Sequence, residues 1–122
     1  MIVVSLPWPP SNNRMFRTPT TGRLAGRTML SEAGRKYRAA VATALILAKT
    51  PRAEYHGRRL AVNIFAQPPD RRRRDLDNLP KAILDALVHA DIIRDDSDID
   101  RLLIERGEVT QDGVITVEIS LV

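Results

Sequence analysis

The chain has 122 residues, enough for one domain with one modest core. Hydrophobic residues make up 43% and charged residues 28%, the balance of a soluble globular protein. With no cysteine and only two histidines, it can hold no disulfide framework, no thiolate zinc site and no cysteine nucleophile. No apolar run is long enough to span a membrane, and prolines interrupt the N-terminal stretch too early for a signal peptide. The expected address is the cytoplasm. The net charge of +4 conceals an asymmetry. Residues 1–74 carry 15 Lys+Arg against 3 Asp+Glu, and residues 75–122 carry 4 against 12. Sixteen of the 19 basic residues are arginine, the side chain suited to bidentate contact with phosphate.

Taken in chain order, the β-branched run 2–6 predicts a strand, closed by Pro7, Pro9 and Pro10, with Ser11-Asn12-Asn13 as turn. Residues 14–30 lack a period and contain two glycines and four arginines, which predicts a loop. Ser31 is a predicted N-cap for a helix to about Lys49, with Tyr37, Val41, Ala44, Leu45 and Ala48 as its buried stripe and Pro51 beyond its end. Arg35, Lys36 and Arg38 crowd its first turns, where cations oppose the helix dipole, so phosphate contact is one reason for the cluster. Alternation over Leu60–Ala66 predicts a second strand, closed by Pro68-Pro69. A basic run, Arg71–Arg74, follows. A second helix is predicted from about Asn78 to Ala90, with Pro80 in its first turn. The segment 91–100 is acidic loop. Two strands, 101–109 and 114–121, are expected to form a hairpin around Gln111-Asp112-Gly113. The predicted class is α+β, a single domain 1–122 in the order β-α-β-α-β-β, with a mixed sheet and two helices.

Three constellations carry possible chemistry. In an extended segment Asp75 and Asp77 point to the same side, and two carboxylates held so close call for a cation; hard oxygen donors suit Mg²⁺ or Mn²⁺. A bare Asp-x-Asp is also simply a solvated acidic turn. Lys81, one helical turn after Asp77, can neutralise a phosphate or a leaving oxygen, or merely pair with Asp85. Arg71, Arg72, Arg73 and Arg74 lie between a strand and a helix, which favours contact with a nucleic-acid backbone over a solvated face, and Arg74 is nearest the carboxylates. The third constellation, Asp95 to Asp100, opens like a calcium loop but has Arg101 where glycine is required and Gly107 where a bidentate glutamate is expected. Either Asp95 or Asp96 can complete the site begun by Asp75 and Asp77; the residues alone do not choose. No P-loop, dinucleotide fingerprint or nucleophile elbow is present, so no nucleotide cofactor is expected.

These residues together resemble the RusA family of Holliday junction resolvases. The resemblance spans nearly the whole chain: Leu6 to Asn13, then Pro69 to Leu79 with Lys81 and Asp85-Ala86-Leu87, then Asp95-Asp96. It implies a homodimeric, Mg²⁺-dependent endodeoxyribonuclease that nicks four-way DNA junctions in recombination and repair, with Mn²⁺ expected to substitute. It makes Asp75, Asp77 and Asp96 the metal-binding catalytic carboxylates and Lys81 a catalytic lysine, with Asp95 and Asn78 in support. DNA contacts are expected from Arg71–Arg74, Asn13, Arg14, Arg35, Lys36 and Arg38. Asp98 and the polar helix end His89-Ala90-Asp91 depart from the family pattern and put metal affinity in question. A non-cleaving protein that binds branched DNA is the alternative, opposed by the cost of facing unneutralised carboxylates to phosphates. A transferase holding a metal–diphosphate is a third, for which the chain leaves little room.

Overall fold

The computed structural model describes all residues 1–122. Strand β1 (Ile2–Leu6) is followed by a one-turn helix α1 (Asn12–Met15), a short ribbon of β2 (Phe16–Arg17) and β3 (Met29–Leu30), and the long helix α2 (Glu32–Leu47). Then come β4 (Leu60–Gln67), a 3₁₀ turn (Leu76–Asn78), helix α3 (Pro80–His89), a second 3₁₀ turn (Asp96–Asp98), β5 (Ile99–Arg106) and β6 (Val114–Leu121). The class is α+β with a mixed four-stranded sheet in the order β1-β6-β4-β5. The helices number three rather than two, and the predicted order lacks α1 and the ribbon.

The helices form because their caps and faces agree. The Ser31 hydroxyl accepts a hydrogen bond from the Gly34 amide (3.0 Å), as an N-cap should. Gly34, Tyr37, Val41 and Leu45 are the buried side of α2, whereas Ala48 is exposed and Ala44 only half-buried. Gly34 is required there: a Cβ would run into the Met15 carbonyl and the Leu30 side chain. Helix α3 starts on Pro80, and Ala82, Ile83, Leu84, Ala86 and Leu87 bury it. These faces cover one side of the sheet, where Ile2, Val4 and Leu6 meet Leu60, Val62, Ile64 and Ala66 and Ile115, Val117 and Ile119 in one core.

The predicted hairpin does not form. β5 pairs in parallel with β4 (Val62 opposite Leu102), and β6 pairs antiparallel with β4 on its other side and with β1. Burial dictates this order. No residue of β4 is exposed, and it lies inside the sheet with a partner on each side, whereas six of the eight β5 residues are exposed, a pattern that suits an edge. The connection 107–113 crosses the end of β4 instead of turning tightly, tied there by Gly107 N–H to the Ala66 carbonyl (2.8 Å) and Thr110 N–H to the Pro68 carbonyl (2.9 Å). Gly113, at φ 70°, sits with no room for a side chain against Trp8 and Pro69. β5 also begins and ends earlier than expected, at Ile99 and Arg106.

Candidate active site

The β4–α3–β5 unit positions the candidate carboxylates, Lys81 and the arginine run, while α1 and α2 carry Asn13, Arg14, Arg35, Lys36 and Arg38. β4 runs to Gln67, the 68–79 segment lies beyond its C-terminal end, α3 returns along the sheet, and the acidic turn precedes β5 at the opposite end.

At the first end, the proline loop and the arginine run face each other. Trp8, Pro9, Pro10 and Ser11 line a cleft of about 260 Å³ together with Arg73, Arg74, Asp75, Asn78 and Leu79. A neighbouring cleft of about 310 Å³ adds Arg14 and Arg72. The Arg74 guanidinium lies 5.6 Å from the centre of the Trp8 ring and 2.7 Å from an Asp70 oxygen. Asp70 also accepts from Arg72 (3.0 and 3.1 Å), and these two arginines, Arg74 foremost, hold its carboxyl well below the usual range. Thus Arg72 and Arg74 are pinned by one carboxylate, while Arg71 and Arg73 have no acidic partner. The Arg106 guanidinium donates to the Arg74 carbonyl (2.7 Å) and fixes this segment to the end of β5. The Tyr37 hydroxyl donates to the Pro7 carbonyl (2.8 Å), tying α2 to the proline loop; burial pushes this phenol up.

Asp75 precedes the first 3₁₀ turn and Asp77 lies within it, both exposed, and neither carboxylate has a hydrogen-bonding or ion-pair partner. Asn78 accepts a long hydrogen bond from Asn12 (3.4 Å) and so joins the turn to α1; Asn13 is exposed beside it. Lys81 stands at the start of α3, 5.0 Å from the Phe16 ring centre and 3.8 Å from Asp85. Asp85 is therefore the ion-pair partner of this lysine in the chain alone, with the Phe16 ring beside it. Of the α2 cluster, Lys36 pairs with Glu32 (3.3 Å) and Arg35 donates to the Leu30 carbonyl (3.2 Å). The Nε of Arg38 is buried without a partner.

At the other end, Asp95 caps the second 3₁₀ turn by accepting from the Ser97 amide (2.8 Å), which lowers its titration below the ordinary range. Asp96 is exposed and unpaired. Asp98, by contrast, is buried and clamped by Arg94 through two hydrogen bonds (3.1 and 2.8 Å), with Arg59 at 3.7 Å. Arg59 also holds Asp100 (2.5 Å) and the Ser97 carbonyl (2.9 Å). Asp91 stands 3.6 Å from His56 at a positive φ. The two departures from the family pattern, Asp98 and Asp91, thus have structural partners. Arg59 and Arg94, which shape the acidic turn, escaped the sequence reading because nothing in a single arginine announces a partner 4 to 41 residues away.

The two ends do not meet within one chain. Ile99 begins β5 near Leu60, and Arg106 ends it near Ala66, so Asp96 and the Asp75–Asp77 turn lie about 23 Å apart along the strands. No group of three acidic or histidine side chains in the chain is close enough to hold a metal ion. Asp75 and Asp77 offer hard, uncompensated oxygens of the kind Mg²⁺ takes, and so does Asp96, but as two part-sites.

The sequence model of the family described as Endodeoxyribonuclease RusA matches residues 7–120. A crossover junction endodeoxyribonuclease RusA of Escherichia coli is 38% identical over 117 residues, covering 96% of this chain and 92% of its own. The protein of that name from Enterobacteria phage 82 is 38% identical with the same coverage. That from Enterobacteria phage HK97 is 35% identical over 115 residues, 94% of this chain and 90% of its own. No helix of the structure is long and apolar enough to cross a membrane.

Proposed function

The chain belongs to the RusA family of endodeoxyribonucleases, and on that premise we propose that it resolves four-way DNA junctions by paired, Mg²⁺-dependent nicks in recombination and repair. The observation that carries the reading is the convergence of two sequence-distant segments, 8–14 and 72–79, on one arginine-lined cleft whose wall includes the unpaired carboxylate of Asp75.

The chain's own residues divide the work. Arg71 and Arg73, free of acidic partners, neutralise backbone phosphates, with Arg14 and Asn13 across the cleft. Arg35, Lys36 and Arg38 extend this grip along α2. Arg74, stacked on Trp8 and braced by Asp70, is a fixed cation beside Asp75 rather than a mobile arm. The Lys81 ammonium leaves Asp85 to meet the charge that develops on the leaving oxygen. Asp75 and Asp77 would hold the ion, with Asn78 bracing their turn, and Mn²⁺ would serve in place of Mg²⁺. When bound, the ion supplies Lewis acidity at the scissile phosphate.

Asp96 serves as the third ligand, with Asp95 ordering its turn. Its distance from Asp75 along β4 supports a site shared between two copies, each giving Asp75 and Asp77 to one site and Asp96 to the other. A two-fold dimer then carries two sites, the number that paired nicks on a pseudo-symmetric junction require.

The test is incubation with a synthetic four-way junction and Mg²⁺. Symmetric nicks on opposing strands are expected, with linear duplex spared. Binding without nicks would favour a non-cleaving branched-DNA protein, and equal cutting of duplex would remove the junction from the account.

A further inference from the structure

The arm between β2 and β3 is the strongest unexplained surface. All of residues 18–28 are exposed except Pro19 and Leu24. The arm is folded by its own backbone: the Gly26 amide donates to the Pro19 carbonyl (2.9 Å), Ala25 to Gly22 (3.2 Å) and Arg27 to Leu24 (3.1 Å). Gly22 and Gly26 hold left-handed φ of 82° and 80°, and a Cβ at either would meet nothing within 4 Å. The turns therefore stand in open space. The charge of this stretch is one-sided. Residues 14–30 contain Arg14, Arg17, Arg23 and Arg27 and no carboxylate. Every ion pair of the chain lies outside it. Four like charges on so short a stretch repel one another, a cost that a polyanion removes.

The root of the arm touches the site in two places. Arg14 lines the cleft with Trp8, Arg72 and Arg73, and the Phe16 ring lies 5.0 Å from the Lys81 ammonium. Arg17 follows on the opposite side of the ribbon, where Met29 pairs with it. We infer that residues 17–28 form a second phosphate-binding surface, in which Arg17, Arg23 and Arg27 grip the backbone of the duplex that flanks the cut strand. This rests on the junction-nuclease reading and extends it beyond the cleft. A strand whose scissile phosphate meets Lys81 passes Phe16, and its flanking duplex continues over the arm. Folded in half, the arm reaches at most about 17 Å at strand rise, about five base pairs along a duplex. Its target is therefore the flank of the cut arm, not the far side of the junction. The three arginines serve binding and take no part in the chemical step.

The test is the salt dependence of junction binding, read by fluorescence anisotropy with a synthetic four-way junction and no Mg²⁺, so that nothing is cut. Three triple variants are compared with the parent. Replacing Arg17, Arg23 and Arg27 together by Ala should flatten the slope of log affinity against log salt by about 3 and weaken binding at least about tenfold. Replacing the same three by Lys should keep most of the slope, because a phosphate contact needs the charge. Replacing Lys49, Arg52 and Arg58 by Ala removes equal charge from an exposed segment away from the cleft and should change the slope much less. All three arm arginines are exposed, so the melting temperature should hold. With Mg²⁺ added, the arm variant should cut saturating junction at the parent's rate, with KM raised. An unchanged slope in the arm variant, an equal loss in the control, or a fall in kcat without a loss of affinity would overturn the inference. The nuclease reading fails separately: a parent that binds the junction and leaves it uncut with Mg²⁺ loses the activity and keeps the slope comparison.

Discussion

The two ends of β4 handle their charges in opposite ways. At the C-terminal end, cations outnumber anions. One carboxylate, Asp70, is spent bracing Arg72 and Arg74, and Asp75 and Asp77 are left bare. At the N-terminal end, anions outnumber cations, and Arg59 and Arg94 are spent on Asp98 and Asp100, leaving Asp96 bare. Each end uses ion pairs to build a scaffold and leaves carboxylates over. A bare carboxylate beside arginines that compensate its neighbours is a group kept for something outside the chain. What separates the ends is β4 itself, which is why the account turns on a second copy.

The largest effect expected from breaking this arrangement is chemical. Asp75→Asn, Asp77→Asn and Asp96→Asn should each lower junction cleavage by about 10³-fold or more, with junction binding intact in a gel-shift assay. None of the three is buried or paired, so their melting temperatures should stay near that of the parent. Next comes the scaffold of the acidic turn. Arg94→Ala strips the buried Asp98 of its bidentate partner, and calorimetry should record a clear fall in Tm, with cleavage falling alongside. Asp70→Ala, at the opposite end and on the surface, should change Tm much less.

A smaller effect separates the four arginines of the basic run. Arg71→Ala and Arg73→Ala should each reduce the slope of log affinity against log salt by about 1. Arg72→Ala should change the slope less, because Asp70 already offsets its charge. The smallest effect is acid stability. The folded Asp70 carboxyl titrates below its ordinary value of 3.8, so its contribution is complete above that pH and is lost as pH falls towards the folded value. Asp70→Asn should flatten the acid limb of a Tm–pH profile while leaving the neutral limb alone.

Much of this was legible from the residues. β6 is read correctly to the residue, because Ile115, Val117 and Ile119 alternate strictly with polar neighbours. The Ser31 cap and the Pro80 start place α2 and α3 within two residues. The ribbon β2–β3 was not legible, since strands of two residues carry no period. The hairpin was misread for a different reason: Asp112-Gly113 is a turn, but a turn says nothing of which strand lies alongside, and burial of β4 on both sides decided that. Asp75 and Asp77 were visible as a pair from spacing alone. Their separation from Asp96 was not, because a helix that returns along a sheet brings the chain to the far end, and only the parallel pairing of β4 with β5 reveals it.

The central claim is that Asp96 acts in the site of the other copy. Mixing separately purified Asp75→Asn and Asp96→Asn proteins, with time for subunits to exchange, tests it directly. If the site is shared, each mixed dimer has one site with all three carboxylates and one with two lost, and nicking should return to about a quarter of the wild-type rate, as single nicks rather than paired ones. If all three carboxylates serve within one chain, every site in every dimer lacks one of them, and a mixture as inactive as its components would contradict the account.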